Sequence, residues 1–217
     1  MRGVVLNIRR RADKSDLLNN IKYFFRRWGL PSGFILLIIT GLAAGCRLSV
    51  QVDESILGRL DFLFVTNLPE RLDGGFPAAF SASFASDFLF VAAAFLMGLC
   101  PWGAPVLPAL AFFKGLGVGI SAGYLIVSYG AGGLLFYLCV LVPGLLVFTA
   151  ALVWQLCSSC EVYRRLLSVL FIRNSIGFSE CFRLYVIRSA KSLVIALCAA
   201  LIDSLLWIAF AGAFHLV

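Results

Sequence analysis

Apolar runs of membrane-spanning length alternate along this chain with short charged segments. From Gly115 to Cys160 there is no Asp, Glu, Lys or Arg, and the run is interrupted only by Ser128-Tyr129-Gly130-Ala131-Gly132-Gly133. A hydrocarbon core takes about 20 apolar residues per helix, so this stretch predicts two crossings joined by a tight turn. A second charge-free run extends from Trp28 to Cys46. The full pattern predicts an all-α polytopic integral membrane protein with five transmembrane helices. They fall at about Leu30–Val50, Phe84–Cys100, Ala104–Val127, Ala131–Leu156 and Lys191–Phe214. Residues 1–28 then form a basic N-terminal segment and residues 29–217 one membrane domain, with loops at 51–82 and 157–190.

Charge sets the expected orientation. The chain is 61% hydrophobic, 13% charged and carries a formal net charge of +7. Such a balance in a soluble protein points to nucleic acid; here the charges sit between apolar spans and act as a topology signal, so no nucleic-acid partner is expected. Arg2, Arg9, Arg10, Arg11, Lys14, Lys22, Arg26 and Arg27 crowd the N-terminal segment. Arg164, Arg165, Arg173, Arg183 and Arg188 crowd the 157–190 loop, with Lys191 directly after it, whereas Asp and Glu outnumber Arg in 51–82. The N-terminus and the 157–190 loop are therefore expected in the cytoplasm, and the C-terminus and the 51–82 loop outside. Ala43-Ala44-Gly45 before Cys46 is similar to a bacterial lipoprotein cleavage site, but Ala43 stands where Leu is usual. A retained anchor is the reading adopted. Leu17, Leu18, Ile21, Phe24 and Phe25 give the basic lead an apolar face suited to membrane lipid.

Small residues predict how the helices pack. Gly115, Gly119 and Gly123 repeat every four positions, and Gly41 and Gly45 do the same in the first span. Glycines on one face let helix backbones approach closely in lipid, within one chain or across a homo-oligomer. Pro143 removes a backbone hydrogen bond from the fourth span and predicts a kink. Three ionisable residues fall in spans. Asp87 is placed near the outer end of its helix, within reach of water. Lys114 and Asp203 lie at matched depth and carry opposite charge, so they are expected to pair, unless Lys114 snorkels to the surface instead.

The outer loop offers the largest surface. Ile56, Leu57, Leu60, Leu63 and Phe64 make one face of a short helix, and Asp73-Gly74-Gly75 is expected to end it. Phe76, Phe80, Phe84 and Phe88 then recur at four-residue spacing. Ile56, Leu60, Phe64, Phe76 and Phe80 are the candidate partner surface. Chemistry is sparse by comparison. Cys157 and Cys160 form a C-x-x-C, but a structural zinc takes four ligands and the chain has one histidine. With no catalytic constellation in view, neither catalysis nor a cofactor or metal is expected.

The run from Pro105 to Gly119, with Phe113-Lys114-Gly115 at its centre, resembles the heart of the stage II sporulation protein M family. That family shows a Gly-x-Pro lead, then Phe-x-Lys-Gly and small-residue spacing. The resemblance extends to the basic lead, five spans, the loop after the first and the proline in the fourth. Many relatives carry His or Gln after that proline and some a Glu soon afterwards, where this chain has Gly144 and Phe148. The resemblance implies a non-enzymatic scaffold in the septal or engulfing membrane. Its implied partners are peptidoglycan-degrading proteins, held in place during endospore formation. A membrane subunit of a small-molecule transporter is the alternative.

Overall fold

In a computed structural model, residues 29–49, 68–172 and 178–211 of the 217 are described, and all of these except the Cys100–Trp102 turn are helical. Helix α1 spans Gly29–Ser49, α2 Leu68–Leu99, α3 Gly103–Phe136, α4 Val142–Ile172 and α5 Phe178–Ala211. Residues Phe34–Val217 make one compact unit. Five stretches are long and apolar enough to cross a membrane: Gly29–Ser49, Ala79–Leu99, Gly103–Val127, Gly130–Val169 and Glu180–Phe210. This is the architecture of an all-α multi-pass membrane protein. Its surface agrees: Leu36, Ile39, Leu89, Val127, Leu146, Val194 and Leu205 are all more than half exposed. Water would penalise so continuous an apolar coat, and lipid does not.

The expected turn at Ser128–Gly133 centres on Gly130, whose φ of 58° and ψ of −133° interrupt α3. That conformation strains any residue with a Cβ. The chain doubles back there. Leu125 and Phe136 share one apolar cluster, and Lys114 Nζ lies 4.4 Å from the ring centre of Phe148. Those pairs straddle Gly130 almost symmetrically, as two antiparallel arms must.

The glycine repeats meet one another. A Cβ on Gly41 would collide with the Phe112 carbonyl and approach Leu116 N to 2.9 Å, and one on Gly45 would collide with the Leu116 carbonyl. Across the seam, a Cβ on Gly115 would strike Ile38 backbone and one on Gly119 would strike Leu42 backbone, while Gly123 faces Ser49. Contacts advance in the same direction along both helices, so α1 and α3 run parallel, backbone against backbone. The seam lies within the chain.

Three local expectations change. The Asp73-Gly74-Gly75 segment does not end a helix; α2 runs through it from Leu68 to Leu99. The 157–190 loop is largely helical, because α4 continues to Ile172 and α5 begins at Phe178. At Pro143 the helix widens upstream instead of simply bending. Tyr137–Leu141 form a π-turn, and the Val142 N–H donates to Tyr137 O. A proline ring clashes with the carbonyl four residues before it, here Cys139, and a wider turn moves that carbonyl aside.

Two apolar clusters fill the interior. One joins Phe90, Val91, Ala94, Leu107, Ala111, Phe148, Leu152, Leu156, Ala196 and Ala199. The other joins Ala79, Val118, Ala122, Leu125, Phe136, Val140, Leu141 and Trp207. On α2 to α5 the residues between these two sets include polar or small ones: Ser83–Asp87 on α2, Lys114 on α3, Gly144 on α4 and Asp203 on α5. The bundle is therefore layered, apolar at both levels with a polar slab between.

Candidate functional site

The polar slab is built from four elements. On α2, Ser83, Ser86, Asp87 and Phe90 fall at helical spacing and share one inward face. Lys114 enters from α3, Tyr137 from the π-turn and Asp203 from α5. These polar side chains line a cavity of about 40 Å³, with Ser121, Gly144 and Phe148 completing its wall. Asp87 and Lys114 each lie near the middle of their apolar stretch, Ala79–Leu99 and Gly103–Val127. The site sits at mid-depth.

Lys114 Nζ donates to Asp87 Oδ1 at 3.0 Å. Its ammonium also lies over the rings of Phe90, 5.0 Å from the centroid, and Phe148 at 4.4 Å, where the electron-rich faces attract a cation. Asp203 instead accepts a hydrogen bond from Ser83 Oγ. The expected Lys114–Asp203 pair is thus replaced by Lys114–Asp87. Matched depth does bring Lys114 and Asp203 to the same cavity. The partner is decided by α2, whose successive turns present Ser83 to Asp203 and Asp87 to Lys114. Nor does Lys114 snorkel: it is 4% exposed. Asp87 is 9% exposed, not at a watery helix end.

Gly144 makes room for this arrangement. A Cβ there would come 3.0 Å from Asp203 Cβ and 3.2 Å from Ala199 O. Gly144, directly after Pro143, thus lets α4 lie close against Asp203 of α5.

No family model matches this chain, and comparison with curated proteins and with solved structures gives no match either.

A second polar set lies below the slab, between α2, α4 and α5. Ser159 Oγ donates to Ala94 O at 2.8 Å and lies 2.9 Å from Tyr185 Oη. Tyr185 Oη in turn donates to Phe95 O at 2.9 Å, and Gln155 Nε2 to Ser189 Oγ at 2.9 Å. Gly98 allows the close approach, since a Cβ on it would strike Tyr185 Oη. Each bond fastens one helix to another, so this set reads as a structural clasp. Sequence reasoning missed it because Tyr185 and Ser189 fall in a stretch read as loop. The available signal was Gln155, a lone amide in a run of apolar residues.

The other singled-out residues separate. Phe76, Phe80, Phe84 and Phe88 form a ladder up α2, with successive ring centroids 6.2, 5.8 and 6.0 Å apart. Phe76 and Phe88 are exposed. Ile56, Leu60 and Phe64 lie outside the described residues. Cys157 and Cys160 are free thiols, and no group of three or more His, Cys, Asp or Glu among the described residues could hold a metal.

Proposed function

We propose that this chain is a non-enzymatic scaffold of a bacterial cell membrane, with its N-terminus in the cytoplasm and its C-terminus outside. The basic segments 1–28 and 157–190 support that orientation through the positive-inside bias. The observation that carries the scaffold reading is the packed interior, filled by two apolar clusters. The central cavity holds about 40 Å³, room for a few water molecules. A backbone-tight glycine seam and a hydrogen-bonded clasp hold the helices around it. A rigid bundle of this kind presents surfaces rather than a path or a reaction centre.

The resemblance carried by Pro105–Gly119 supplies the biological setting. On that reading the scaffold holds peptidoglycan-degrading proteins at the septal membrane while it thins the wall and migrates around the forespore. Phe76 and Phe80 of α2, together with Ile56, Leu60 and Phe64, are the surface assigned to those partners. Affinity capture of the tagged chain from sporulating cells tests this. Co-purifying wall hydrolases, and arrested engulfment in a deletion strain that grows normally, are the expected results. Normal membrane migration in that strain would remove the sporulation role.

One observation favours a transporter subunit: charged and hydroxyl side chains converge at mid-depth beside a π-turn and a proline, as in proteins that bind solutes there. Capture of an ATPase in place of hydrolases would select that reading.

A further inference from the structure

We propose that the mid-bundle cavity is a binding site for a sodium ion. This goes beyond the scaffold reading and does not depend on it.

Three features of the cavity converge on that ligand. The first is its donor set. Apart from Lys114, the side-chain groups lining it that can coordinate are oxygens: the carboxylates of Asp87 and Asp203 and the hydroxyls of Ser83, Ser86, Ser121 and Tyr137. Oxygen-only sites suit hard cations. The second is size. About 40 Å³ is enough for an ion with one or two waters.

The third feature is a pair of hydroxyls with spare capacity. Tyr137 is 8% exposed, and its Oη makes no hydrogen bond to any described residue; neither does the buried Ser86 Oγ. A buried hydroxyl left so is costly, and two of them bordering one cavity mark a place for a guest. Tyr137 is held there by the π-turn that Pro143 imposes, so the local irregularity and the open acceptor occur at the same residue.

Lys114 does not close the site to a cation. Its ammonium is committed to Asp87 at 3.0 Å and lies against the two phenylalanine rings. The lining described therefore holds two carboxylates and one ammonium, a balance that fits one monovalent ion. A divalent ion would leave the slab positive in a medium that penalises uncompensated charge.

Equilibrium binding of radioactive sodium to the full chain in lipid nanodiscs, at constant ionic strength in choline chloride, tests the assignment. The expected result is saturable binding of one ion per chain, competed by lithium and not by choline. Asp203→Asn should weaken it about tenfold or more. Tyr137→Phe keeps the ring and its packing, and should weaken it measurably, so the test survives if Asp203→Asn fails to fold. Arg188→Ala, at the exposed pair with Glu161, should leave binding unchanged. Absence of saturable sodium binding in the wild type overturns the proposal. So does binding that is equal in wild type, Asp203→Asn and Tyr137→Phe, or an uptake of protons with no sodium dependence.

Discussion

Removing the Lys114 ammonium tests the central architecture most directly. At 3.0 Å and an effective dielectric of about 20, two unit charges attract by roughly 5–6 kcal/mol. Desolvation offsets most of this, so the net worth of the pair is small, but breaking it from one side costs about 3–5 kcal/mol. Lys114→Met takes the ammonium away from a carboxylate that is only 9% exposed. Asp87→Leu does the converse to a lysine 4% exposed. The double variant replaces both charges with apolar groups, and substitutions of that kind are often neutral or stabilising. It should therefore be more stable than either single variant, with a coupling of at least about 2 kcal/mol. Unfolding in mixed micelles can be followed by tryptophan fluorescence, because Trp207 is buried against Phe136 with ring centroids 5.3 Å apart. A parallel cycle pairing Lys114→Met with Asp203→Asn should give the smaller coupling. If the Asp87 cycle is additive and the Asp203 cycle strongly coupled, Lys114 pairs with Asp203 and the assignment made here is refuted.

Two further outcomes follow from close approaches. Gly119→Ala drives a Cβ into the Leu42 carbonyl and to 2.9 Å from Cys46 N, and backbone cannot swing away as a side chain can. It should destabilise by about 1–3 kcal/mol, whereas Gly132→Ala, with open space around it, should stay within about 0.5 kcal/mol; equal effects in the same unfolding assay would remove the α1–α3 seam. Tyr185→Phe deletes the donor to Phe95 O and the contact with Ser159 Oγ. A loss of about 1–3 kcal/mol is expected, with faster amide exchange at the adjoining ends of α2 and α5, and unchanged exchange there would mean the clasp does not fasten those helices.

Much of the fold was legible because the signals were local and physical. Spans announce themselves by the length of their uncharged runs, and the glycine faces of Gly41, Gly45, Gly115, Gly119 and Gly123 follow from a four-residue period. The hairpin at Gly130 was readable from a cluster of small residues. What escaped was any feature set by tertiary context. Asp73-Gly74-Gly75 carries strong breaker chemistry, yet the helix runs through it, since propensity costs of about 1 kcal/mol are readily overridden. The loop between the fourth and fifth spans looked polar because its helices extend past the apolar stretch, and charge along a helix face looks in sequence like charge in a loop.

The polar slab shows most plainly where sequence reasoning stops. Depth can be counted, so Lys114 and Asp203 could be brought to one level from residue numbers alone. Azimuth cannot be counted until the neighbours of each helix are known, and azimuth chooses the partner. Here α2 lies between the two charges and supplies both answers from one face, Ser83 for Asp203 and Asp87 for Lys114. The spacing 83, 87, 90 was present in the sequence as a helical face with a serine, a carboxylate and an aromatic. In sequence Asp87 reads as a residue near a helix end, and the phenylalanine stripe 76, 80, 84 and 88 on the adjoining register is the more regular signal. Phe76 and Phe88 are exposed, while Ser83, Asp87 and Phe90 turn inward. A membrane helix with a serine–aspartate face is amphipathic towards its own bundle, and in lipid that polar face is the one that must find partners.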